Sequence, residues 1–136
     1  YRGKDYDLLP KYFPSGLGYW SNAGLLRAQS LANEMRGRWK YLDAPQLLKH
    51  MLGLRSEQPE AIVQLIYVWY DTDFDDAKAH RAEIERFSDS ISGDVVRFSA
   101  ISYQDLFKSL RDSSPDSSPE WASYLSERYF SVANVV

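Results

Sequence analysis

The run Ile62-Val-Gln-Leu-Ile-Tyr-Val-Trp-Tyr70 constrains this chain more than any other feature. It is rich in β-branched and aromatic residues, and Gln64 alone interrupts its apolar character. A strand of that kind is expected to be central and covered on both faces. It is far short of the ~20 residues that cross a bilayer. Asp71-Thr-Asp-Phe-Asp-Asp76 ends the strand and opens a helix at about 75–90, with Ala77, His80, Ile84, Phe87 and Ile91 on its inner stripe. Gly93 breaks the chain before a second strand at about 95–101. Strand, helix and strand in that order and spacing predict a right-handed parallel β-α-β crossover, hence an α/β domain.

The flanks read as helices. A first helix is expected over about 23–35, with Ser21 or Asn22 as its cap and Gly37 as its stop. A second is expected over about 44–52, with Asp43 as N-cap, Pro45 in the first turn and Gly53 as stop. Leu47, Leu48, Met51 and Leu52 make its apolar face, while Gln46, Lys49 and His50 share another. Helices follow at about 103–110, capped by Ser102, and after Ser118-Pro119, beyond a polar linker at 112–118. Residues 1–22 are punctuated by Pro10, Pro14, Gly16 and Gly18 and show no period, so they read as an aromatic arm ahead of one domain at 23–136.

Composition narrows the chemistry. The chain has 136 residues, enough to bury a core as one domain, and no cysteine. Disulfides, thiolate metal sites and cysteine nucleophiles are therefore excluded, and a reducing, cytoplasmic setting is the expectation. No apolar run spans a membrane and no signal peptide precedes the fold, so no membrane partner is expected. The chain begins at Tyr1, which fits an excised domain, a processed product or part of something longer. The net charge of −3 lacks the basic excess of a dedicated nucleic-acid module. The basic residues are uneven, however: Arg36, Arg38 and Lys40 cluster near Trp39 and Tyr41, either as a solvated face or as a contact for nucleic acid.

Three constellations could carry chemistry. Asp71, Asp73, Asp75 and Asp76 lie beyond the C-terminal end of the apolar strand, the edge where open α/β sheets bind ligands. Asp71 and Asp73 could hold Mg²⁺ for phosphotransfer, since hard cations take oxygen ligands; alternatively the four acids cap the helix that follows. The spacing is not an EF-hand, because Asp76 stands where the turn glycine belongs and Ala82 where the bidentate glutamate belongs. His80 falls on the inner stripe and reads as a satisfied, partly buried histidine. Gln46, Lys49 and His50 could orient a water or touch a phosphate, or form a plain solvent face. The sequence has no HExxH, GxSxG or Walker A motif, and Gly16-Leu-Gly18 is no dinucleotide fingerprint.

Four segments together carry a resemblance. They are Tyr41-Leu-Asp-Ala-Pro-Gln-Leu-Leu-Lys-His-Met-Leu-Gly-Leu54, the strand ending Tyr67-Val-Trp-Tyr70, His80-Arg-Ala-Glu-Ile-Glu-Arg-Phe87, and Val96-Arg-Phe-Ser-Ala-Ile-Ser-Tyr-Gln-Asp-Leu106. In this order they resemble the C-terminal part of bacterial restriction-endonuclease-like proteins of the PD-(D/E)XK superfamily, over about residues 20–130. The resemblance implies a nuclease that cuts DNA with Mg²⁺ held by carboxylates on two strands, one of them bearing Glu/Asp-x-Lys. It also implies an assisting glutamine on the following helix, a position matched by Gln46, with Lys49 beside it. Residues 1–22 contain no such pair of strands, so the resemblance places the metal-binding strands upstream of Tyr1. Arg36, Arg38 and Lys40 would then approach the nucleic acid. Two other readings stand beside it. One is a non-catalytic interaction or scaffold module, whose arm docks on a second copy, another protein or an upstream domain. The other is Mg²⁺-dependent phosphotransfer through Asp71 and Asp73.

Overall fold

The computed structural model describes residues 8, 10–13, 18–34, 39–72, 74–113 and 120–130. After a 3-10 turn at Pro10–Tyr12 come helices α1 (Tyr19–Asn22), α2 (Leu26–Glu34) and α3 (Ala44–Glu57). Strand β1 (Val63–Trp69), helix α4 (Asp75–Ile91) and strand β2 (Val96–Ser102) follow, then α5 (Tyr103–Asp112), α6 (Glu120–Leu125) and a π-helical turn at Ser126–Phe130. The two strands pair in parallel, so the expected β-α-β unit is present. No described helix is long and apolar enough to cross a membrane. The chain divides into two compact units, Tyr1–Tyr67 with Thr72–Ala100 and Val68–Asp71 with Ile101–Val136.

In the first unit, the apolar stripe of α4 behaves as its spacing predicts. Ala77, Ile84, Phe87 and Ile91 are buried, and Phe87 meets Phe98 of β2 edge-on at 5.0 Å between ring centres. Half-buried His80 is satisfied by the Tyr67 hydroxyl, 3.0 Å from its Nε2. Leu25, Leu48, Met51 and Phe87 are the largest fully buried side chains, and Trp20 and Leu42 join them in the core. Truncating any one of the four to alanine removes about 2–5 kcal/mol of packing.

The open side of the sheet differs from expectation. A strand so uniformly apolar should be covered on both faces, yet Ile62 and Ile66 are 83 % and 56 % exposed. On that outer face Gln64 donates to the Ser99 hydroxyl at 3.1 Å, a polar cross-strand pair. The residues that alternate with these turn inward, which is the ordinary pattern of a sheet with one face packed.

The N-terminal helices correct the sequence reading. Residues 19–22 are helical rather than loop, and one helix over 23–35 is instead two, divided at Gly24. Gly24 has φ 72°, and a Cβ there would stand 2.9 Å from both methyls of Val95, so conformation and space both require glycine. Neither Ser21 nor Asn22 caps α2. Its second and third amides, those of Arg27 and Ala28, donate to the Asp94 carboxylate at 3.0 and 2.8 Å. A residue 66 positions away in sequence thus supplies the oxygens that a local Ser or Asp normally provides.

Glu83, in the middle of α4, does the same for the segment ahead of α3. Its two oxygens accept from the backbone amides of Lys40, Tyr41 and Leu42 at 2.9, 2.9 and 2.8 Å. Asp43 then caps α3 as expected, accepting from the Gln46 amide at 3.1 Å with Pro45 in the first turn. Gly53 does not stop α3, which runs on to Glu57.

In the second unit, Ser102 caps α5 as expected, accepting from the Asp105 amide at 3.0 Å. The Gln104 side chain brackets the backbone of Asp71: its Oε1 accepts from the Asp71 amide, and its Nε2 donates to the Asp71 carbonyl. The cap expected at Ser118 and Pro119 lies outside the described residues.

Removing the carboxylate in Asp94→Ala leaves two first-turn amides of α2 without their acceptor. The expected loss is about 1–2 kcal/mol, with Asp94→Asn intermediate, read from urea midpoints of the three proteins. A midpoint for Asp94→Ala equal to the parent's would show that Asp94 does not hold α2.

Candidate functional site

A groove of about 700 Å³ lies in the first unit, between the C-terminal half of α3 and the segment that carries α1. Lys49, Gly53, Arg55 and Ser56 contribute one wall; Lys11, Tyr12, Tyr19 and Asn22 contribute the other. Lys49, Gly53 and Ser56 share a helix face because they are spaced three and four apart. Gly53 leaves that face open, since a Cβ at this position would meet nothing within 4 Å.

The opposite wall is held by a buried tryptophan. Trp20 is 2 % exposed, donates through Nε1 to the Tyr12 carbonyl at 2.9 Å, and stacks on Phe13 at 6.2 Å between ring centres. This fixes the turn bearing Lys11 and Tyr12 against α1. Arg55 closes the base of the groove: its Nε donates to the Ala23 carbonyl at 3.1 Å and its Nη1 to the Ala61 carbonyl at 3.0 Å. Three cations, Lys11, Lys49 and Arg55, therefore line one concavity, and no carboxylate is among its described lining residues. The Lys11 ammonium lies 5.3 Å from the centre of the Tyr12 ring, an arrangement that interleaves cation and aromatic.

The residues singled out in the sequence are distributed unevenly around this groove. Lys49 lines it. Gln46, one turn earlier on α3, is half-buried and donates its amide to His50 Nε2 at 3.0 Å. Lys40 is exposed beside Tyr41, its ammonium 4.8 Å from the ring centre. A hydrogen bond to Tyr41, and then the charges of Tyr41, Asp76 and Glu83, hold that ammonium above its ordinary pKa. Arg36 and Arg38 lie outside the described residues. Lys11, Tyr12 and Tyr19 escaped the sequence reading because they sit in what looked like an arm, and Arg55 because Gly53 looked like the end of its helix.

Of the acidic residues after β1, Asp71, Asp75 and Asp76 are described. In the second unit Asp71 has its backbone bracketed by Gln104. In the first, Asp75 pairs with Lys78 at 3.1 Å on the surface, and Asp76 accepts from the Tyr41 hydroxyl at 2.5 Å. Such an exposed pair adds little stability. Asp73 lies outside the described residues. Among the described residues no group of three or more His, Cys, Asp or Glu side chains is placed to hold a metal ion.

A second concavity, of about 430 Å³, belongs to the second unit and is apolar. Leu106, Phe107 and Leu110 of α5 line it together with Tyr70, Tyr103 and Tyr129. The Tyr70 hydroxyl donates to the Tyr129 carbonyl at 2.6 Å across one edge.

No family model, curated protein or solved structure matches the chain.

Burial raises the Tyr67 phenol above its ordinary pKa of 10, and the charges of Asp43 and Glu83 raise it further. The unfolded chain ionises first, so the stability tied to this residue is complete below pH 10 and falls as pH climbs towards the folded value. Urea midpoints measured at pH 8 and pH 11 should therefore drop more in the parent than in Tyr67→Phe. Equal drops would show that Tyr67 does not contribute to the alkaline loss.

Proposed function

We infer that this chain is the DNA-holding part of a restriction-endonuclease-like nuclease. The observation that carries the reading is the groove lined by Lys11, Lys49 and Arg55. Three cations facing one concavity neutralise phosphates and release the counterions that surround them, the sequence-independent term in nucleic-acid binding. Lys49 stands on α3 one turn beyond Gln46, within the segment that carries the resemblance to PD-(D/E)XK proteins. The exposed outer face at Ile62 and Ile66 fits a sheet that receives further structure.

The described residues supply positioning, and the reading assigns the metal to carboxylates upstream of Tyr1. Bound there, Mg²⁺ would supply the activated water and offset charge on the scissile phosphate. Lys49 and Lys11 hold the phosphate backbone, and Arg55 lends charge from the base of the groove while fixing its two walls. The Gln46 amide nitrogen is held by His50, and its carbonyl oxygen would accept from a water at the N-terminal end of the same helix face.

Phosphotransfer through Asp71 and Asp73 has no comparable observation behind it, since Asp73 lies outside the described residues. The interaction-module reading is favoured by one feature, the apolar concavity of the second unit. It predicts that Leu110→Glu abolishes self-association seen by light scattering, or capture of a partner, and leaves DNA binding unchanged.

For the leading reading, fluorescence anisotropy with labelled DNA should give a plot of log affinity against log salt with a slope of about −2 to −3. Lys49→Glu should weaken binding on every DNA sequence and make the slope shallower by about 1. Binding that ignores both salt and Lys49→Glu rules out the groove as a phosphate site. A parent protein with its upstream strands intact that shows no Mg²⁺-dependent cleavage rules out the nuclease.

A further inference from the structure

Resting on the reading of the groove as a phosphate site, we propose that it takes single-stranded rather than duplex DNA, with an unstacked base lying on the Tyr19 ring.

The groove holds aromatic rings as well as cations. Tyr19 lines it and is 53 % exposed, while its neighbour Trp20 is 2 % exposed and anchors the same helix. The Tyr19 ring is thus presented from a fixed backbone with much of its surface open. Tyr12 stands in the same wall, its carbonyl held by Trp20 and its ring beside the Lys11 ammonium. Cations that follow a backbone, interleaved with rings that accept bases, are the working parts of single-strand grooves. In a duplex the base faces are already stacked and paired, so only phosphates and groove edges remain to be touched, and an open tyrosine face gains nothing.

Charge points the same way. The chain as a whole is net −3, its groove cations included. A duplex carries one negative charge per ~1.7 Å of axis, about twice the density of one strand. A short cationic groove on an acidic protein repels the second strand while holding the first. Asn22 and Ser56, also in the lining, offer an amide and a hydroxyl to base edges without selecting one base.

The test uses the 136-residue chain, a labelled mixed-sequence 12-nucleotide strand, and the blunt duplex of the same sequence, at low salt. The single strand should bind at least roughly ten-fold more tightly. Tyr19→Ala should cost roughly ten-fold on the strand and little on the duplex, and Tyr19→Phe should keep the preference because it keeps the ring. Gly53→Leu, which projects a side chain into open space from a helix position, should block the strand without lowering the urea midpoint. Duplex binding as tight as or tighter than the strand overturns the inference and leaves the phosphate reading standing. Strand binding unaffected by Tyr19→Ala also overturns it. Absence of binding to either DNA overturns both.

Discussion

Two carboxylates from one part of the chain hold the helical side of the first unit in place. Glu83 gathers three consecutive amides ahead of α3, and Asp94 gathers two in the first turn of α2. Helix N-termini leave amides that the helix itself cannot satisfy, and burying them unpaired is costly. Here those amides are met by side chains projecting from α4 and from the turn after it. The apolar stripe of α4 meets the sheet where Phe87 packs on Phe98, so the helix and the turn after it order both neighbours at once: the sheet through Phe87, the helices through Glu83 and Asp94.

The groove inherits its shape from this arrangement. Where Asp94 fixes α2, the adjacent Val95 packs against Gly24 and donates its amide to the Gly24 carbonyl at 3.3 Å. That contact sets the break between α1 and α2. Arg55 then ties the Ala23 carbonyl, one residue earlier, to the far end of α3. The wall bearing Tyr19 and Trp20 and the wall bearing Lys49 and Gly53 are therefore clamped at their common base, and the open end between them keeps its width.

What was legible in the sequence is what rests on local rules. The β-α-β unit follows from a strand-like apolar run, a helical stripe and a glycine break. Asp43 and Ser102 cap the helices they precede, because a side chain and the amides it accepts from lie within one turn. The start of α2 was not legible, since its acceptor lies 66 residues on. Nor was α1, four residues long and held by the burial of Trp20 rather than by any helical period. Glycine often ends helices, which makes Gly53 look like a stop, but α3 continues through it past Arg55 to Glu57. The arginine at the base of the groove therefore lies beyond the helix end that the local signal suggests. The cover expected on both faces of β1 follows from hydrophobic composition, which does not reveal which face a neighbouring element will fill.

Net charge illustrates why the candidate site in particular resisted sequence reasoning. A formal −3 counts every carboxylate equally and argues against a polyanionic ligand. Yet Asp43 and Asp94 sit at helix N-termini, where the aligned peptide dipoles place about half a positive charge, and Glu83 is saturated by backbone amides. These three acids act as internal ligands of the fold, and their fields are partly offset where they stand. Lys11, Lys49 and Arg55 come from segments separated by nearly forty residues and meet only because Trp20 and Arg55 close the first unit around them. The sign of the potential that a ligand meets is thus set by which charges the fold consumes and which it gathers, and neither is visible in a sum over the sequence.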